Sequence, residues 1–148
     1  MTGAEPEAEQ QRLLLDTHTW IWLTDGNRKL GEDSKRAIRR AYRESQAVVS
    51  AISPWEMALL VSKGRVTLEQ DALDWIRASL AIPGLRLVAL EPEIAVASTR
   101  LPFEMHADPA DRILVATARH LGATLVTADR ALLELAKNGH FRAMDAAV

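Results

Sequence analysis

The chain has 148 residues, 48% of them hydrophobic and 26% charged, with 18 basic and 20 acidic side chains and a formal charge of −2. This length suits one domain with a buried core, and zero cysteines exclude disulfides and thiolate metal sites, as expected for a reducing, cytoplasmic setting. No apolar run approaches the ~20 residues that a membrane helix needs, and the acidic start Met1-Thr2-Gly3-Ala4-Glu5 is unlike a signal peptide.

Residues 1–11 hold three Glu and no Lys or Arg, and read as a polar, disordered tail ahead of a single domain over 12–148. The remainder carries 18 basic and 17 acidic residues, so nucleic-acid binding, if present, is expected to be local rather than a broad electrostatic footprint. Arg12–Leu15 is expected to be a buried strand, followed by a short helix bearing Trp20, Ile21 and Leu23 and a loop at Asp25-Gly26-Asn27. Glu32–Ser45 is expected as a helix and Ala47–Ser50 as the second strand. Ser53-Pro54-Trp55-Glu56 carries the signs of a helix start, with Ser at N-cap, Pro at N1 and Glu at N3, and Gly64 marks its end.

A helix near Asp71–Ile82 is expected to stop at Pro83-Gly84, with a third strand over Leu85–Leu90 and a short helix near Glu93–Leu101. After a loop over Pro102–Ala107, Asp108-Pro109-Ala110-Asp111 opens a helix that ends at Gly122. Ala123–Ala128 is expected as the fourth strand, Arg130–Lys137 as a helix and Phe141–Met144 as a short edge strand. Strands alternating with helices, and no hairpin signals, indicate a three-layer α/β/α fold around a parallel sheet of four to five strands.

In such folds sites form beyond the carboxyl ends of the strands. Asp16 follows Leu13-Leu14-Leu15 and Asp129 follows Leu125-Val126-Thr127-Ala128, while Glu56 and Asp111 fall in the first turns of long helices. Two carboxylates ~5 Å apart at an effective dielectric near 20 repel by ~3 kcal/mol, so a shared edge raises their pKa values or recruits a divalent ion. Oxygen donors without cysteine favour Mg²⁺, with Mn²⁺ as a substitute, over Zn²⁺. Each residue also has a structural reading. Glu56 fits a capping box with Ser53, Asp111 fits helix-dipole stabilisation behind Asp108, and Asp129 fits an N-cap. Asp16 is harder to explain that way, because Asp is a poor strand or core residue.

Leu13-Leu14-Leu15-Asp16-Thr17-His18-Thr19-Trp20, Ser50-Ala51-Ile52-Ser53-Pro54-Trp55-Glu56, His106-Ala107-Asp108-Pro109-Ala110-Asp111-Arg112 and Leu125-Val126-Thr127-Ala128-Asp129 together resemble PIN-domain proteins, and more narrowly VapC toxins of type II toxin–antitoxin modules. The resemblance spans about residues 12–145 and implies a Mg²⁺-dependent endoribonuclease, held by a cognate antitoxin protein and commonly a homodimer, that leaves 5′-phosphate and 3′-hydroxyl ends. It places Asp16, Glu56, Asp111 and Asp129 in the catalytic, metal-holding quartet, with Asp108 and Thr127 as supporting residues.

His18 and His106 flank the acidic segments and are expected to be hydrogen-bonding surface residues rather than ligands. Lys35, Arg36, Arg39, Arg40 and Arg43 line adjacent faces of one helix and are expected to be solvated, with RNA phosphate contact as the functional alternative. Arg112 is open between substrate contact and pairing with Asp108 or Asp111. Trp20 and Trp22 cannot share a helix face, so one is expected to meet an exposed groove where an antitoxin segment docks. A haloacid-dehalogenase-like phosphatase needs an acid where His18 stands and a Lys before the last acidic motif, and a response-regulator receiver fails on the same Lys. The remaining alternative is a catalytically silent PIN-fold protein- or RNA-binding module.

Overall fold

The computed structural model describes residues 12–148, so the expected tail lies outside the described residues. The elements run β1 (Leu13–Leu15), α1 (Thr17–Asp25), α2 (Glu32–Arg43), β2 (Ala47–Ser50), α3 (Ile52–Ser62), α4 (Ala72–Leu80), β3 (Leu85–Val88), α5 (Pro92–Thr99), α6 (Pro109–Leu121), β4 (Thr124–Thr127), α7 (Arg130–Ala136) and β5 (Arg142–Asp145). The five strands form one sheet in the order β3-β2-β1-β4-β5, and every pairing is parallel. The segment expected as an edge strand over Phe141–Met144 thus pairs with β4, one residue later than anticipated, with Arg142 opposite Thr124.

The three inner strands β1, β2 and β4 are almost wholly buried and largely apolar because helices cover both faces. Along β1, Leu13 and Leu15 point into one core with Trp20, Ile38, Met57 and Trp75, while Leu14 points into the other with Leu114, Leu125 and Leu132. Alternation of successive side chains thus divides the interior into two apolar layers. Trp20 is wholly buried, packs edge-on to Trp75 at 5.1 Å between centroids and donates from Nε1 to Ser79 Oγ at 2.5 Å. Of the two tryptophans of α1, Trp20 therefore has no surface to offer a partner. Trp22 packs partly against the core, with the Lys29 ammonium 5.9 Å from its ring centroid.

Gly31 precedes α2, where a Cβ would overlap the main chain of Val148. That close approach lets Val148 O accept from the Ser34 amide at 3.0 Å and so serve the first turn of a helix that lacks a side-chain cap.

The start of α3 differs from expectation. The helix begins at Ile52, whose amide donates to Ser50 Oγ at 3.1 Å, and the Ser53–Glu56 capping box does not form. Pro54 is tolerated two positions further in, at the third helical residue, because the first four helical amides have no intrahelical acceptor. Both side chains released from capping turn toward the edge of the sheet where the acidic residues gather.

Candidate active site

With β1 central, the chain builds β2 and β3 on one side of it and β4 and β5 on the other. The direction of winding reverses between β1 and β4, and in open α/β sheets sites form beyond the carboxyl ends of the strands at such a reversal. Asp16 ends β1 there, linked across the switch by its amide to Val126 O at 3.0 Å. Asp129 follows β4 and caps α7, accepting from the amides of Ala131 at 2.8 Å and Leu132 at 3.2 Å. Asp108 caps α6 by accepting from the Asp111 amide at 3.1 Å. Asp129 thus caps its helix as expected, Asp108 does the same for α6, and each caps through Oδ1 alone.

Asp16 is the most constrained of the four. Its Oδ1 accepts from the Thr17 amide at 2.7 Å and its Oδ2 from Thr127 Oγ1 at 2.6 Å. Thr127 Oγ1 in turn accepts from the Asp129 amide at 3.0 Å, so one hydroxyl ties the ends of β1 and β4 together. Burial pushes the Asp16 carboxyl above its ordinary range, opposed by the Thr127 and Thr17 hydrogen bonds and reinforced by the Asp129 charge.

Glu56 is also pushed up, first by burial and then by the charges of Asp16 and Asp108, against a hydrogen bond from Thr17. That bond runs from Thr17 Oγ1 to Glu56 Oε1 at 2.6 Å. The hydroxyl has a single proton, so its 2.9 Å contact with Ser53 Oγ is satisfied with Ser53 as donor. Thr17 and Ser53 are both buried. The resulting relay Ser53–Thr17–Glu56 holds one acidic side chain from a position beside another. Neither hydroxyl was expected to serve the site, and no local pattern joins residues 36 and 39 positions apart.

Asp111 is pushed up to about 7, by burial first and then by Asp108, Asp16, Asp129 and Glu56 in turn. All four other acids act on it, so the carboxylates share one electrostatic environment although they come from four separate segments. As placed, no three His, Asp or Glu side chains among the described residues already converge tightly enough to enclose an ion. Hard oxygen donors, raised pKa values and no thiolate fit a divalent cation of the Mg²⁺ or Mn²⁺ type.

His106 sits beside this group, its Nε2 3.3 Å from Asp111 Oδ2 while Nδ1 accepts from the Asp108 amide at 3.3 Å. Both contacts are met by the tautomer carrying hydrogen on Nε2. His18 is exposed and lies against Trp22 with ring centroids 6.3 Å apart. On the basic helix, Lys35 pairs with Glu32 at 3.1 Å and Arg36 pairs with Asp33.

The Arg112 guanidinium grips main chain rather than the carboxylates of Asp108 and Asp111. Its Nε donates to Ser98 O at 2.8 Å and its Nη1 to Met105 O at 3.3 Å and His106 O at 3.4 Å. The guanidinium therefore clamps the end of α5 and the 102–107 loop onto α6, positioning His106 and Asp108. Arg112→Ala is expected to cost about 1–3 kcal/mol, the usual penalty for stranding partly buried acceptors, and to speed amide exchange across residues 105–111. Unchanged urea midpoints and exchange rates would show that the clamp carries no load.

The sequence matches the PIN domain family over residues 13–138. Ribonuclease VapC22 of Mycobacterium tuberculosis (strain ATCC 25618 / H37Rv) is 36% identical over 120 residues, covering 81% of this chain and 88% of that protein. Among solved structures, a chain of DNA-bound VapBC from Salmonella typhimurium superposes with a TM-score of 0.65 at 18% identity, over 90% of this chain and 97% of that one. A chain of VapBC2 from Rickettsia felis, bound to a fragment of its promoter DNA, gives 0.64 at 15% identity with the same coverages. At these identities the two structures speak for the fold alone. Fold and sequence nevertheless agree, and the chain belongs to the PIN-domain family.

Proposed function

We propose that this protein is a metal-dependent endoribonuclease acting as the toxin of a type II toxin–antitoxin pair. The observation that carries the reading is the gathering of Asp16, Glu56, Asp111 and Asp129 at the β1/β4 switch, where each of the first three is held above its ordinary pKa by burial and by its neighbours' charge. The similarity to a VapC ribonuclease over most of the chain supports the same chemistry. The four carboxylates would hold Mg²⁺, or Mn²⁺ in its place, which supplies an activated water and charge stabilisation for in-line displacement at phosphorus.

The protein's own groups prepare that site. Thr127 orients Asp16 and, through the Asp129 amide, the start of α7. Thr17 orients Glu56, and Asp108 sets the first turn from which Asp111 projects. Burial and the neighbouring carboxylates push the Asp111 carboxyl up to about 7, so its proton would compete with a bound cation for the same oxygens. No side-chain nucleophile is required.

The antitoxin as partner rests on likeness to chains from VapBC complexes. Among the described residues no helix is long and apolar enough to cross a membrane. A cytoplasmic homodimer, and a single domain over 12–148, belong to the same proposal.

The test is incubation of purified, antitoxin-free protein with total bacterial RNA in Mg²⁺ and in EDTA. Discrete fragments with 5′-phosphate ends are expected in Mg²⁺ only. A folded protein that cuts nothing in either condition would overturn the assignment and return weight to a silent binding module.

A further inference from the structure

Trp55 is 57% exposed, although its neighbours in the chain, Glu56 and Met57, turn inward. Single exposed apolar side chains are common, but the position of this one is specific. It lines a cleft of about 390 Å³ together with Ile52, Leu59, Pro109, Glu56 and Asp108. The first four give the cleft apolar surface from α3 and from the start of α6. The last two are members of the acidic group, so the cleft opens directly beside the proposed scissile position.

We propose that this cleft is a stacking subsite for one unpaired nucleobase next to the scissile phosphate, with the Trp55 indole as its platform. The inference rests on the ribonuclease reading and adds a residue that grips the substrate. A phosphate brought to the carboxylates carries a ribose and base on each side, and continuity of the cleft with the acidic site puts one of those bases within reach of the indole. Backbone attraction alone serves this molecule poorly, because the described chain is nearly neutral and the site is acidic. Stacking supplies affinity without a basic groove and tolerates any base because each has a π-face. It also demands a single-stranded substrate, since a paired base cannot leave its helix without cost.

The experiment starts from cut sites mapped in total RNA. An oligonucleotide copied from one such site is prepared with the flanking bases removed one at a time, and single-turnover cleavage and binding are measured with wild type, Trp55→Ala and Trp55→Phe. Trp55→Ala is expected to weaken binding about tenfold, within the range of one lost stack, while Trp55→Phe stays within a few-fold of wild type. One abasic position is expected to hurt wild type and to leave Trp55→Ala unaffected. Melting temperature and mass in solution, by light scattering, are expected to be unchanged.

Equal binding and cleavage by wild type and Trp55→Ala would overturn the subsite while leaving the nuclease intact. A Trp55→Ala variant of altered oligomeric state, with RNA affinity per active site unchanged, would assign the cleft to a protein interface instead. Absence of metal-dependent cleavage by wild type would remove the nuclease reading itself, and the subsite with it.

Discussion

Asp16→Asn is expected to abolish RNA cleavage, by about a thousandfold or more, while the protein melts no lower than wild type. The activity loss corresponds to about 4 kcal/mol of transition-state stabilisation, within the several kcal/mol that a correctly charged metal site supplies. The stability expectation comes from the hydrogen bonds. Asn can accept from the Thr17 amide with its oxygen and, with the direction of the second bond reversed, donate to Thr127 Oγ1 with its nitrogen, so both contacts are kept although the Thr127 proton must turn to another acceptor. The substitution also removes a buried negative charge whose pKa burial has raised. Cleavage at wild-type rates by a well-folded Asp16→Asn protein would take Asp16 out of the site. A steep fall in melting temperature would instead make Asp16 a structural residue whose loss of activity follows from unfolding.

The second large effect is on stability against pH. Asp16, Glu56 and Asp111 all have folded pKa values above their unfolded ones. The folded protein therefore binds more protons than the unfolded chain between the ordinary carboxyl range and neutrality, and stability falls as pH rises through that window. For Asp111 the window runs from 3.8 to about 7. At ~1.4 kcal/mol per pH unit this sets an upper bound of about 4 kcal/mol, reduced by solvent screening of a carboxyl that is only partly buried. Metal-free protein is thus expected to be more stable near pH 5 than near pH 8, and Asp111→Asn to flatten the difference.

Divalent ions should reverse the trend at the alkaline end. An ion that binds only the native state stabilises by mass action, about 2.7 kcal/mol at a hundred times its dissociation constant. Mg²⁺ or Mn²⁺ is expected to raise the melting temperature at pH 8 and to have little effect at pH 5, where protons occupy the same oxygens. Melting curves with and without ion at the two pH values decide this. A shift of equal size at both, or none at either, would separate the raised carboxyl groups from metal binding.

Much of this molecule can be read from local sequence because local physics governs it. Leu13-Leu14-Leu15 and Leu125-Val126-Thr127 are strands covered on both faces, and continuous apolar runs announce that environment. Asp108 and Asp129 cap the helices they precede, as Asp does wherever it stands before a helical run. The same local rule misled at Ser53. Its spacing to Glu56 fits a capping box, yet Ser50 supplies the hydroxyl at that helix start, and Ser53 and Glu56 are drawn to Thr17 on a different element. Arg112, left open by its sequence context, takes as side-chain partners three carbonyls from α5 and the following loop.

By itself, then, the sequence determined the alternation of strands and helices, the caps, and which acidic residues stand at element boundaries, since each depends on side chains a few positions apart. The tertiary structure decided the strand order that brings β1 beside β4, the Thr127 and Thr17 hydroxyls that hold Asp16 and Glu56, and the cleft that leaves Trp55 outside while Trp20 is buried. Those outcomes depend on contacts between residues tens to more than a hundred positions apart, where burial and desolvation outweigh local preference.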